Sequence, residues 1–80
     1  MQDKRPYSGA MNTDQRRRKL GERIRAEREQ QSISQRSFAL MIGISQPYLS
    51  AVESGSISIG YDNLCKIADG LGVTVAELVS

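Results

Sequence analysis

The sequence predicts an all-α fold, a compact bundle of five short helices in one small domain. Three observations carry this expectation. Apolar residues recur at helical spacing, as in Leu64, Ile67, Ala68 and Leu71. Hydroxyl side chains able to cap a helix stand at Thr13, Ser34, Ser45 and Thr74, and glycines that can end one stand at 43, 55 and 72. The alternating stretch Ser56-Ile57-Ser58-Ile59-Gly60 has no second strand to pair with, so it reads as a loop.

Taken in order, residues 1–12 mix Pro6, Ser8, Gly9 and Asn12 with charges and show no period. They read as a flexible N-terminal arm, in which Met11 is an alternative start, ahead of a domain at 13–80. Thr13 caps a first helix over about 14–30, with Asp14 in its first turn. Its inner face is Leu20, Ile24, Ala26 and the aliphatic stem of Arg28. Ser34 caps a second helix, Gln35 to Ile42, which Gly43 ends because glycine takes the left-handed conformation without penalty. Ser45 caps a third helix at 46–54, where Pro47 is tolerated in the first turn, and Gly55 closes it. The run from Leu64 to Leu71 makes the fourth helix and Gly72 stops it. Thr74 caps a last turn holding Val75 and Leu78, with Glu77 placed to complete a capping box.

Composition narrows the function. Eighty residues leave room for one domain, and 39% apolar with 25% charged residues match an ordinary globular chain. The longest apolar stretch, Phe38 to Ile44, is far short of the ~20 residues of a membrane span, and no apolar segment follows Lys4 and Arg5 to make a secretory signal. The expected location is the cytoplasm. Cys65 is the single cysteine and there is no histidine, so neither a disulfide framework nor a Cys/His metal site is expected. Catalysis lacks its commonest acid/base, and Glu27 and Glu29, two apart on a helix, do not face each other. No phosphate-cradling glycine motif is present. The expectation is a protein that is not an enzyme and that carries no cofactor or metal.

The net charge of +2 hides a gradient. Residues 1–19 carry six basic side chains against two acidic ones, 20–35 are balanced, and 36–80 carry two against four. The basic cluster Arg16-Arg17-Arg18-Lys19 has no amphipathic aromatic face beside it, which favours nucleic acid over a membrane as its polyanion.

Between helices two and three stand only Gly43, Ile44 and Ser45, a spacing that forces a steep crossing, as in a helix-turn-helix. Phe38, Ile42, Ile44, Leu49 and Val52 sit where the two helices and their turn share a core, and Ala39 is small where they cross. Steps of 100° along helix three put Leu49, Val52 and Glu53 inside and Gln46, Pro47, Ser50, Ala51 and Ser54 outside.

Motifs spread along the chain agree: Leu20-Gly21-Glu22-Arg23-Ile24-Arg25 through Arg28, Ile33-Ser34-Gln35, Ala39 with Gly43-Ile44-Ser45, Leu49 through Gly55, and Ile67-Ala68 with Leu71-Gly72-Val73 and Glu77-Leu78. On these residues the chain, from Leu20 to Val79, resembles the lambdoid phage repressor and Cro type of DNA-binding domain, the XRE-type helix-turn-helix family. The resemblance implies that helix three enters the major groove of double-stranded DNA. It implies base contacts from positions matching Gln46, Pro47 and Ala51, and Ser50 shares their outer side. Gln46 can pair bidentately with adenine, whereas Pro47 and Ala51 offer only apolar contact, for instance to a thymine methyl. Gln35, at the start of helix two, matches a phosphate-gripping position; Arg36 beside it, Ser45, Tyr48 and Ser54 are further candidates for phosphate contact, with Arg16 and Arg17 reaching one flank. Arg28 and Glu53 match positions that form an ion pair. Two departures stand out: the loop 56–60 lacks the basic residues and proline the family often has, and Ser32 replaces a frequent glycine, leaving the left-handed geometry of that turn open.

The expected function is sequence-specific DNA binding by a small transcriptional regulator, acting as a homodimer with recognition helices about 34 Å apart. Val75, Leu78 and Val79, with Ile57 and Ile59, are the candidate dimer patch. The competing expectation, favoured by Pro47, Ala51 and the uncharged loop, is a protein-interaction module of the same fold, an antitoxin or adaptor with secondary DNA binding.

Overall fold

The computed structural model describes residues 12–80, so all but the last residue of the arm expected at 1–12, with the alternative start at Met11, lies outside the described residues. Five helices follow one another: α1 Thr13–Gln30, α2 Gln35–Ile42, α3 Gln46–Ser54, α4 Tyr61–Leu71 and α5 Val75–Val79. No strand occurs among the described residues.

Each of the first four helices sends one large side chain completely out of water: Ile24, Phe38, Leu49 and Ile67. Each is worth roughly 1.5–3 kcal/mol of apolar burial. Ala39, Val52, Leu64, Ala68, Leu71 and Leu78 complete this core. The half-buried Ile57 and Ile59 pack against it, so the loop after α3 serves as a lid on the core although it lacks regular structure.

Two glycines inside helices set how closely the layers approach. A Cβ on Gly21 of α1 would lie 2.4 Å from the Glu53 carbonyl oxygen and 2.5 Å from that of Val52, both at the end of α3. A Cβ on Gly70 of α4 would lie 2.6 Å from Ile42 Cγ2 and 3.0 Å from the Phe38 ring, both on α2.

The first helix begins one residue earlier than its sequence suggests. Asn12, assigned to the arm, is the cap: its side chain accepts from the Gln15 N–H at 2.8 Å, and the Gln15 side chain accepts from the Asn12 N–H at 2.9 Å. Thr13 therefore sits inside the helix; an asparagine whose side chain reaches the third residue on competes well with a threonine for this place. Ala26, expected on the inner face, is exposed, because the buried stripe of α1 runs through Gly21, Ile24 and Arg28.

Four helices end the same way. The N–H of Ile33, Ile44, Ser56 and Val73 each returns to the carbonyl five residues back, at 3.0–3.2 Å. The residue that permits this is glycine at 43, 55 and 72, but serine after α1: Ser32 takes φ 59°. The left-handed turn is thus kept without glycine, at a local conformational cost of about 1–2 kcal/mol.

Candidate nucleic-acid interface

The site is built on α2, the turn 43–45 and α3. Gly43 adopts φ 78° and the Gly43 and Ile44 N–H groups both donate to the Ala39 carbonyl at 3.0 Å, which stops α2. Two residues later the Ser45 hydroxyl accepts from the Tyr48 N–H at 3.1 Å and opens α3. The half-buried Ile44 roots the turn in the core, and Ala39 beside it is almost fully buried. Both ends of the turn are therefore fixed by local sequence and its middle by packing.

On α3 the inner and outer sides separate. Leu49, Val52 and Glu53 are buried, and Gln46, Pro47, Ser50 and Ser54 are exposed. Ala51 lies at the boundary, half-buried, and its carbonyl accepts from the Ser54 and Ser56 hydroxyls at 3.1 and 3.2 Å. Ser54 is thus occupied in finishing the helix. The exposed beginning of α3, with Gln46, Pro47 and Ser50, forms the face that can meet base edges.

The residues expected at phosphates fall into two groups. Around the α2–α3 unit, Arg36 is exposed in the first turn of α2, Ser45 is the cap of α3, and Tyr48 is half-buried with its hydroxyl accepting from Asn63 Nδ2 at 3.1 Å. Gln35, also half-buried, donates from Nε2 to Glu53 Oε1 at 2.9 Å. Elsewhere, Arg16 and Arg17 line a groove of about 590 Å³ together with Leu20, Ile57, Ile59, Leu78 and Val79. Arg17 is held there by an ion pair with Asp14 of its own helix. The basic cluster lies beside the end of α3, where Arg18 packs against Gly55.

Behind α3 lies the ion pair expected from Arg28 and Glu53. Arg28 Nε donates to Glu53 Oε2 at 2.7 Å and Nη2 to Oε1 at 2.9 Å, with both side chains buried. The third guanidinium nitrogen, Nη1, donates to the Ile33 carbonyl at 2.6 Å, on the turn into α2. The hydrogen bond to Glu53 raises the Arg28 pKa above the usual guanidinium value and the charge of Glu53 adds to it, while burial opposes them.

Sequence reading missed the Gln35–Glu53 and Tyr48–Asn63 hydrogen bonds and the close approaches at Gly21 and Gly70. The first two join residues 18 and 15 apart in the chain, for which no local signal exists. Unpunctuating glycines inside helical runs were the available signal for the others.

A family model described as Helix-turn-helix matches residues 24–78. The chain belongs to the helix-turn-helix family. Its function class is DNA-binding regulation of transcription. Among helix-turn-helix relatives, the chain is 42% identical over 53 residues to the control protein C.MunI of a Mycoplasma species, covering 66% of this chain and 72% of that protein. Its fold is similar to that of the restriction-modification controller protein C.AhdI from Aeromonas hydrophila, with a TM-score of 0.74 and 31% identity over 76% of this chain and 92% of that one. It is also similar to a hypothetical transcription factor, NHTF, from Neisseria, with a TM-score of 0.79 and 30% identity over 88% and 80% of the two chains. No helix among the described residues is long and apolar enough to cross a membrane.

Proposed function

We propose that the chain binds double-stranded DNA sequence-specifically, with α3 in the major groove, and controls transcription by binding without catalysing a reaction. The observation that carries this is a helix anchored along one side by Leu49, Val52 and Glu53 while the other side presents Gln46, Pro47 and Ser50 to solvent from its first turns. Gln46 pairs with an adenine edge, Ser50 hydrogen-bonds a base, and Pro47 and Ala51 meet thymine methyls. Arg36 and Gln35 grip a phosphate at the start of α2, where the backbone N–H groups and the helix dipole favour an anion; Ser45 and Tyr48 line the same backbone, Ser54 does not because its hydroxyl proton goes to the Ala51 carbonyl, and Arg16 and Arg17 add charge on the flank. The likeness to two controller proteins supports a controller's role in the cytoplasm.

The reader acts as a homodimer, because two recognition helices about 34 Å apart match successive turns of one groove. Leu78 belongs to the core at 2% exposure, which leaves exposed Val79 with half-buried Val75, Ile57 and Ile59 for the contact.

Selection of bound duplexes from a random pool, followed by titration at several salt concentrations, tests the proposal. The selected duplex binds more tightly than random DNA, and Gln46→Ala weakens the selected duplex alone by about 1–3 kcal/mol. Equal loss on both duplexes removes Gln46 from base reading. Absence of duplex binding at low salt refutes the proposal and leaves the protein-interaction reading.

A further inference from the structure

We infer that Glu53, from inside the protein, positions the Gln35 amide as an outward hydrogen-bond donor for a DNA phosphate, so that the buried pair it forms with Arg28 is part of the DNA-binding machinery. The inference rests on the DNA-binding reading above and adds a residue that does not itself touch DNA.

Gln35 is the first residue of α2 and its Nε2 lies 2.9 Å from Glu53 Oε1. A carboxylate only accepts, so the amide must offer nitrogen and not oxygen to Glu53, and the orientation of the amide is settled. One of its two N–H groups is then used and the other is left for an acceptor outside. Glu53 can hold the amide in this way because it is itself immobile: 6% exposed, and gripped through both oxygens by Arg28 at 2.7 and 2.9 Å. Arg28 also holds the Ile33 carbonyl at 2.6 Å, two residues ahead of Gln35, so the side chain and the backbone entering α2 are set by one guanidinium. A glutamine on a helix surface ordinarily loses rotamer freedom when it binds. Here that loss is taken on folding, and the donor meets the phosphate already in place.

The test compares duplex binding by the wild type, Gln35→Met, Gln35→Asn, the pair swap Arg28→Met/Glu53→Leu, and the pair swap combined with Gln35→Met. Replacing a buried ion pair by apolar side chains of similar size generally keeps the fold, and melting curves check this. Gln35→Met binds selected and random duplexes about tenfold more weakly, the loss of one hydrogen bond to a charged group. The pair swap loses a similar factor, and the combined variant loses no more than either alone. Gln35→Asn, which keeps an amide too short to span to Glu53 and leaves the core untouched, binds like Gln35→Met. In the free wild-type protein the two Gln35 side-chain amide protons are separated by more than those of a solvated glutamine in a nitrogen-proton correlation spectrum, and the pair swap returns them to that ordinary separation.

Losses that multiply in the combined variant, or wild-type binding by Gln35→Asn or Gln35→Met, overturn the role of Glu53. Failure of the wild type to bind any duplex in the same titrations refutes instead the reading on which this role rests.

Discussion

Gly21→Ala is the most direct probe of how α3 is seated. The added Cβ would stand 2.4 Å from the Glu53 carbonyl oxygen and 2.5 Å from that of Val52, against about 3.5 Å for comfortable contact. Both obstacles are backbone, so no side-chain rotation relieves them, and α1 and α3 must separate by roughly 1 Å at this level. The same displacement pulls on the Arg28–Glu53 hydrogen bonds, which lie two turns further along α1. Overpacking of this kind costs about 1–3 kcal/mol or more, and the helix preference of alanine over glycine returns up to about 1 kcal/mol. A net loss of about 2 kcal/mol lowers the melting temperature of a domain this small by roughly 8–16 °C. Thermal unfolding followed by circular dichroism, with urea titration as a second measure, reads it. An unchanged or raised melting temperature, the ordinary result of Gly→Ala on an open helix face, would refute the close approach of α1 and α3.

Glu53→Ala leaves the Arg28 guanidinium buried without its partner and costs about 3–5 kcal/mol in urea unfolding; a loss under about 1 kcal/mol would mean that the pair is effectively solvated. Ser32→Gly relieves the φ of 59° and raises stability, by at most about 1 kcal/mol after the added chain entropy of glycine; a loss of stability would mean that the serine side chain contributes there. Arg36→Gln flattens the slope of log K against log salt by about 0.9, equally on selected and random duplexes, and an unchanged slope removes Arg36 from the phosphates.

Much of the fold is legible in the chain because its punctuation is local. Ser34, Ser45 and Thr74 each cap with their own side chain, and Gly43, Gly55 and Gly72 each end a helix, so the bounds of α2 and α3, the end of α4 and the start of α5 follow from neighbours in sequence, whereas α4 starts at Tyr61, three residues before the expected Leu64, because Gly60 offers no capping side chain. The two sides of α3 were readable for the same reason: a 100° step separates Leu49, Val52 and Glu53 from Gln46, Pro47 and Ser50. The apolar run Phe38-Ala39-Leu40-Met41-Ile42 marks the limit. Hydropathy alone barely distinguishes its members, yet Phe38 is fully buried while Leu40 is 83% exposed, because α3 and α4 cover only one side of α2.

The set of helices, most of their ends and the outward face of α3 thus follow from sequence, since caps, glycines and helical periodicity act over a few residues. Tertiary structure alone decided how near those helices come and what their polar groups hold. Gly21 matters only because α3 carbonyls lie against it, and Gln35 meets Glu53 only because α1 brings Arg28 between the turn into α2 and the end of α3. Both are contacts between parts of the chain that no local pattern connects, fixed by the packing of a core that leaves the side chains no alternative arrangement.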